Sequence, residues 1–231
     1  MQRRKKRIET LAVFVALSVL VCGTAWAEIY DDFSGKEIDA AKWAIRSSPG
    51  GSPGLFTQSK GRLYFSCNKD VGESLVSKKG FASGFFRVEF HDFHSTNDAP
   101  SGRGWGSFAA LGLGPRDTYV RMLRGRVGTG GYFEANYFTN KRLQLWYDPS
   151  EVTFGQLGLY FDGSAVSYFY NAGLDPGKGW QRVGPKVTPG WATPPTLFIS
   201  GYPGPSGRTS FAVDNIEYLP LPASLLKILE K

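Results

Sequence analysis

Short runs of alternating apolar and polar residues dominate the chain. Leu63, Phe65 and Cys67 fall on one parity of RLYFSC, and Phe86, Val88 and Phe90 on one parity of GFFRVEF. A period of two puts such residues on one face of a strand. The pattern predicts strands over 62–67, 74–77, 84–93, 106–113, 118–127, 132–138, 142–147, 156–161, 165–170, 196–201 and 209–218. Clusters of Gly, Pro, Ser and Asp separate them, which is the spacing of an all-β antiparallel sandwich or barrel. The clearest hairpin is LGLYFDGSAVSYFY, where Asp162-Gly163 is a favoured two-residue turn. Longer irregular segments are expected at 46–61, 95–103, 185–195 and 202–208, with one helical turn within 38–45. In the tail, Leu221, Leu225 and Leu229 recur every four residues, the pattern of a short amphipathic helix. No internal repeat and no second domain is visible. The reading is one domain over 28–218 and a tail over 219–231.

The first residues change the electrostatic picture. Arg3, Arg4, Lys5, Lys6 and Arg7 precede an apolar run over 11–21, and Ala25-Trp26-Ala27 supplies the small residues of a cleavage site. This is the pattern of a secretory signal peptide over 1–27, and the chain is expected to be exported to the periplasm or beyond the cell. The apolar run is shorter than the roughly 20 residues a spanning helix needs, so no transmembrane span is expected after cleavage. Removing five basic residues and one acid lowers the formal charge from +7 to +3. The remainder lacks the net basic character of a nucleic-acid-binding protein. Cys67 is then the single cysteine, so no internal disulfide can form, and its parity with Leu63 and Phe65 makes it a small core residue.

Four stretches, YDDFSGKEIDAAKW, SLVSKKGFASGFFRVEFHDF, GWGSFAALGLG and FAVDNIEY, follow one another in an order that resembles the concanavalin A-like lectin/glucanase jelly rolls. These include laminarinase- and lichenase-type hydrolases and laminin-G-like domains. The resemblance covers most of 29–218. It implies a two-sheet antiparallel jelly-roll β-sandwich with paired N- and C-terminal strands and one sheet able to hold a glycan. In the glucanases the strand after the GWGSFAALGLG-like segment carries Glu-x-Asp-x-x-Glu, and retaining hydrolysis needs two of those carboxylates. Here Tyr119, Arg121 and Arg124 take the three acidic positions, and no Glu-x-Asp-x-x-Glu occurs anywhere in the chain. A guanidinium stays protonated, so it serves neither as general acid nor as nucleophile near neutral pH. It does grip carboxylate or sulfate.

The expectation is therefore an exported, non-hydrolytic carbohydrate-binding protein with a preference for anionic polysaccharide. Tyr119, Arg121 and Arg124 would form the floor, flanked by Trp105, Tyr132, Glu134 and Trp146. On a regular strand Arg121 and Arg124 face opposite ways, so this floor needs a bulge near Leu123. The alternatives are a polysaccharide-lyase-like enzyme using Arg87, His91 and Tyr137, a hydrolase with acids elsewhere, and an envelope protein whose sandwich contacts another protein. The resemblance also implies a structural calcium, held by Asp214 and a carbonyl at Gly61, with a bulge at Asp214-Asn215 turning the carboxylate outward. Trp43 is read as core, and Trp191 as a loop residue within reach of a ligand.

Overall fold

The apolar parities close on each other as two antiparallel sheets in the computed structural model, which describes residues 28–48, 54–68, 71–96, 106–128, 130–175, 179–204, 207–219 and 223–229. The first sheet runs β13 (Trp180–Arg182), β12 (Val166–Asn171), β11 (Gly155–Phe161), β6 (Gly84–Ser95), β15 (Thr209–Leu219), β4 (Arg62–Cys67), β3 (Phe56–Ser59), with β1 (Glu28–Asp31) also paired to β15. The second runs β10 (Arg142–Pro149), β9 (Gly130–Thr139), β8 (Tyr119–Val127), β7 (Ser107–Leu113), β14 (Thr196–Tyr202), β5 (Glu73–Gly80), β2 (Trp43–Ser47). This is the jelly-roll sandwich the sequence implies.

Each inward parity matches the alternation in the sequence. Leu63, Phe65, Phe86, Val88 and Phe90 of one sheet meet Leu111, Leu113, Val120, Met122, Phe133 and Ala135 of the other. Phe133 stacks on Tyr170 at 4.1 Å across the gap. The pairing of β1 with β15 brings the two ends of the domain together. Asp31, buried there, accepts hydrogen bonds from Trp43 Nε1 (2.7 Å) and the Phe33 amide (2.9 Å), so Trp43 is core as expected. The helical turn lies at 39–43, and β2 begins where it ends. The sequence pattern misses β1, β2, β3 and β13. None of these is longer than five residues, too few for alternation to stand out.

In the hairpin between β11 and β12, the Asp162 amide bonds the Ala165 carbonyl, so the central pair is Gly163-Ser164, one residue later than expected. Only Gly163 has positive φ (99°). The reason is that the Asp162 carboxylate is occupied in closing the turn. It accepts from the Ser164 and Ala165 amides and pairs with Lys186 Nζ at 2.6 Å. Partial burial pushes its pKa up, but Lys186 and the turn hydrogen bonds outweigh this and hold it well below the usual carboxylate range. A depressed folded-state pKa gives stability that is present above the unfolded value and lost as pH falls. The stability gap between wild type and Asp162→Asn is therefore expected to be full above about pH 5 and to narrow as pH falls below about 4, with part of it still present at about pH 2.5, read from urea midpoints.

The tail forms α1 (Ala223–Leu229), whose Leu225 packs on Phe85, Phe169 and Trp180 on the outer face of the first sheet. Leu221 lies outside the described residues. No described helix is long and apolar enough to cross a membrane.

Candidate functional site

Directly paired residues on antiparallel strands share a face, so the register of the second sheet defines its outer surface as rows. One row reads Arg46, Ser74, Ser200, Ala110, Leu123, Glu134, Tyr147 from β2 to β10. The next reads Ala44, Val76, Phe198, Gly112, Arg121, Asn136, Leu145. A third holds Tyr202, Phe108, Gly125 and Tyr132. Where the first row carries Ser74 and Ser200 the surface sinks, because those side chains are small. The result is a hollow of about 600 Å³, lined by Arg46, Ser74, Arg116, Tyr119, Arg121, Phe198, Ser200 and Tyr202, among others.

The expected floor is only partly assembled. Tyr119 and Arg121 do face the hollow. The Tyr119 ring stacks on Phe138 at 5.1 Å and meets the Phe198 ring edge-on. Arg121 is buried, its guanidinium 4.4 Å from the Phe108 ring centre and 5.6 Å from that of Tyr119. Its Nε donates to Asn136 Oδ1 at 2.5 Å, and Asn136 Nδ2 donates in turn to Glu134. Burial pulls the Arg121 pKa down and pushes that of Glu134 up, the latter opposed by Asn136 and by the Arg121 charge.

Arg124 is not part of this floor. The pairing of β8 with β7 and β9 runs without a bulge, so Arg124 shares the inward parity of Val120 and Met122. Its Nε donates to the Val152 carbonyl (2.7 Å) and its Nη1 to the carbonyls of Gly125 and Tyr132. Its plane lies 5.0 Å from the Phe93 ring centre. Leu123 takes the outward position instead, packed with Phe108 and Ala110. Tyr132 is on the open face but beyond the hollow, its ring lying flat over Gly125 and against that same cluster. Trp146 points to the inner side, beside Tyr168 and over Gly184. Trp105 lies outside the described residues.

The other expected sets are dispersed. Arg87 lies on the outer face of the first sheet, ion-paired with Glu217, and His91 lies near Glu89. Tyr137 sits on the inward parity of the second sheet, so the lyase-like trio is split across the sandwich. The bulge in β15 is present between Asp214 and Glu217, with Asn215 at φ 45°, and it lets Val213 and Ile216 both face inward. The Asp214 carboxylate, however, faces the Arg62 guanidinium at 3.5 Å. A cation bound beside Asp214 would sit against that positive charge, and among the described residues no group of three His, Cys, Asp or Glu converges. Asp214 and Gly61 as placed do not fit a calcium site.

Six of the lining residues named above escape the sequence reading: Arg46, Ser74, Arg116, Phe198, Ser200 and Tyr202. Phe198 and Ser200 alternate with the inward Leu197 and Ile199, and parity alone cannot say which apolar side of TLFIS looks inward. Arg116 stands on the turn between β7 and β8. Trp191 fixes that turn, its Nε1 donating to the Thr118 carbonyl at 2.8 Å with its ring against Phe161.

No family model and no curated protein sequence matches this chain. Solved structures do. LamAcat from Zobellia galactanivorans superposes with TM-score 0.55 at 13% identity, over 85% of this chain and 98% of that one. A lichenase (beta-1,3-1,4-glucanase) from a mouse hindgut metagenome gives TM-score 0.55 at 13% identity, over 86% and 100%. The GH43 protein BlXynB from Bacillus licheniformis gives TM-score 0.61 at 13% identity, over 83% of this chain and 39% of that larger one. The chain thus has the concanavalin A-like jelly-roll fold of laminarinase- and lichenase-type proteins. That is a fold used by carbohydrate-active proteins, and at this identity the likeness extends to the fold.

Proposed function

We propose that this is an exported carbohydrate-binding protein, periplasmic or extracellular, which holds a glycan in the hollow of the second sheet without cleaving it and favours anionic chains. The observation that carries the reading is the chemistry of the open face. Among the described residues Glu134 is the one carboxylate in the three rows and does not line the hollow, and Glu73 is the one carboxylate among the hollow's lining residues, which otherwise include hydroxyls, aromatic rings and guanidinium groups. Retaining and inverting hydrolysis both need a pair of carboxyl groups flanking the bond, and Glu134, engaged by Asn136, and Glu73, engaged by three backbone amides, lie four strands apart in the sheet and do not make such a pair. What the face offers instead is suited to capture: a flat aromatic floor at Phe198, hydroxyl groups on the strands beside it, and positive charge from Arg121.

The test is a glycan array spanning neutral, uronate and sulfated chains, run on the chain lacking residues 1–27, with reducing-end and ultraviolet assays on every binder. Binding without new reducing ends or unsaturated uronate is expected. New reducing ends would make the protein a hydrolase, and unsaturated products a lyase. Absence of binding across the array by a folded sample would remove the carbohydrate reading.

A further inference from the structure

Guanidinium groups border the hollow from β2, from the turn after β7 and from β8. At its β2 end, Arg46, Ser74 and Ser200 stand side by side on three neighbouring strands, about 4.8 Å from one strand to the next. Arg116 borders the same hollow from the turn after β7. Arg46 and Arg116 are both exposed, and no described carboxylate pairs with either. Glu73 also borders this end, but its oxygens are occupied by the Gly54, Leu55 and Phe56 amides. Ser200 is 93% buried, and its hydroxyl makes no hydrogen bond. A buried hydroxyl normally finds a partner, so the Ser200 hydroxyl, covered from solvent in the wall of the hollow, is a spare donor that no described protein group satisfies.

We propose that the hollow holds a subsite for a sulfate ester carried by the bound glycan, between Arg46 and Ser74 on one side and Arg116 on the other, an assignment that depends on the hollow being the glycan site. The donors favour sulfate over carboxylate. A carboxylate has its lone pairs in one plane and is best met by a single guanidinium fork. Here two guanidinium groups and two hydroxyls come from four separate backbone segments, so they approach from different directions. A tetrahedral group with three free oxygens uses such a set. Sulfate esters also keep their charge across the whole accessible pH range, so capture needs no titrating partner. The anchored turn at Arg116 and the strand position of Ser200 hold two of the donors in place before the ligand arrives.

The experiment compares laminarin, sulfated laminarin and carboxymethyl laminarin by isothermal titration calorimetry at 150 mM salt, with wild type and the double variant Arg46→Ala/Arg116→Ala. Sulfated laminarin is expected to bind wild type most tightly. The double variant should lose about tenfold or more of that affinity, the scale of two charge-assisted hydrogen bonds, and lose distinctly less for laminarin, so that the preference for the sulfated form collapses. Both arginines are exposed, so the variant is expected to fold normally, checked by its urea midpoint. Ser200→Ala should weaken sulfated laminarin selectively as well. Equal affinity for the three forms, a preference for the carboxymethyl form, or indifference to the arginine changes would overturn the sulfate subsite and leave glycan binding in the hollow standing. Failure of all three ligands together with a blank glycan array would overturn both.

Discussion

Arg124→Ala is expected to destabilise the protein by about 3–5 kcal/mol, the range for losing a large buried side chain and stranding its hydrogen-bond partners. Arg124 is 1% exposed. It satisfies three carbonyls, those of Val152, Gly125 and Tyr132, and its guanidinium lies near the Phe93 and Phe133 rings. Burial pulls its pKa down to about 10, still far above neutral, so the group that ties these segments together is charged. Alanine leaves a cavity and three buried acceptors at once. Lysine keeps the charge but not the planar fork, so Arg124→Lys is expected to fall between the two. Urea unfolding followed by tryptophan fluorescence measures the loss. A variant as stable as wild type that fails to bind glycan would return Arg124 to the ligand site and contradict its placement inside the sandwich.

Gly112→Val is expected to cost about 1–3 kcal/mol by overpacking and to weaken glycan binding by on the order of tenfold, equivalent to about 1.4 kcal/mol. Gly112 lies under the Phe198 ring, and a Cβ there would fall inside that ring. The glycine lets the ring lie flat on the sheet with its other face toward the hollow. Any side chain at 112 must lift the ring and close the floor. Phe198→Ala removes the ring without the clash, so it should reproduce the binding loss with the floor left open. If both variants bind as wild type does, the Phe198 face takes no part in capture.

These two residues also show where sequence reading stopped. GLG in the middle of a strand announces a glycine but not the reason for it. The reason is a ring on β14, 86 residues further along the chain. Arg121 and Arg124 are alike in the sequence, two cations three apart on one strand. Their spacing already placed them on opposite faces of a regular strand, and the absence of a bulge decided the matter. Arg116 and Arg46 carried no signal, one on a turn and one on a strand too short to alternate visibly. The hollow itself depends on two small side chains, Ser74 on β5 and Ser200 on β14, which only the register aligns.

What the sequence determined by itself was local and periodic: the alternating strands, the turns between them, the shared parity of Leu63 with Phe65 and of Phe86 with Val88, and the lack of a glucanase acid motif. Such features depend on neighbours a few residues away, so they survive in a one-dimensional reading. The tertiary structure alone decided which arginine meets solvent and which meets carbonyls, where the surface sinks, and which hydroxyl is left without a partner. Those outcomes depend on the pairing of strands far apart in the chain, and a shift of one residue in any of those pairings would have turned every side chain on the strand to the opposite face.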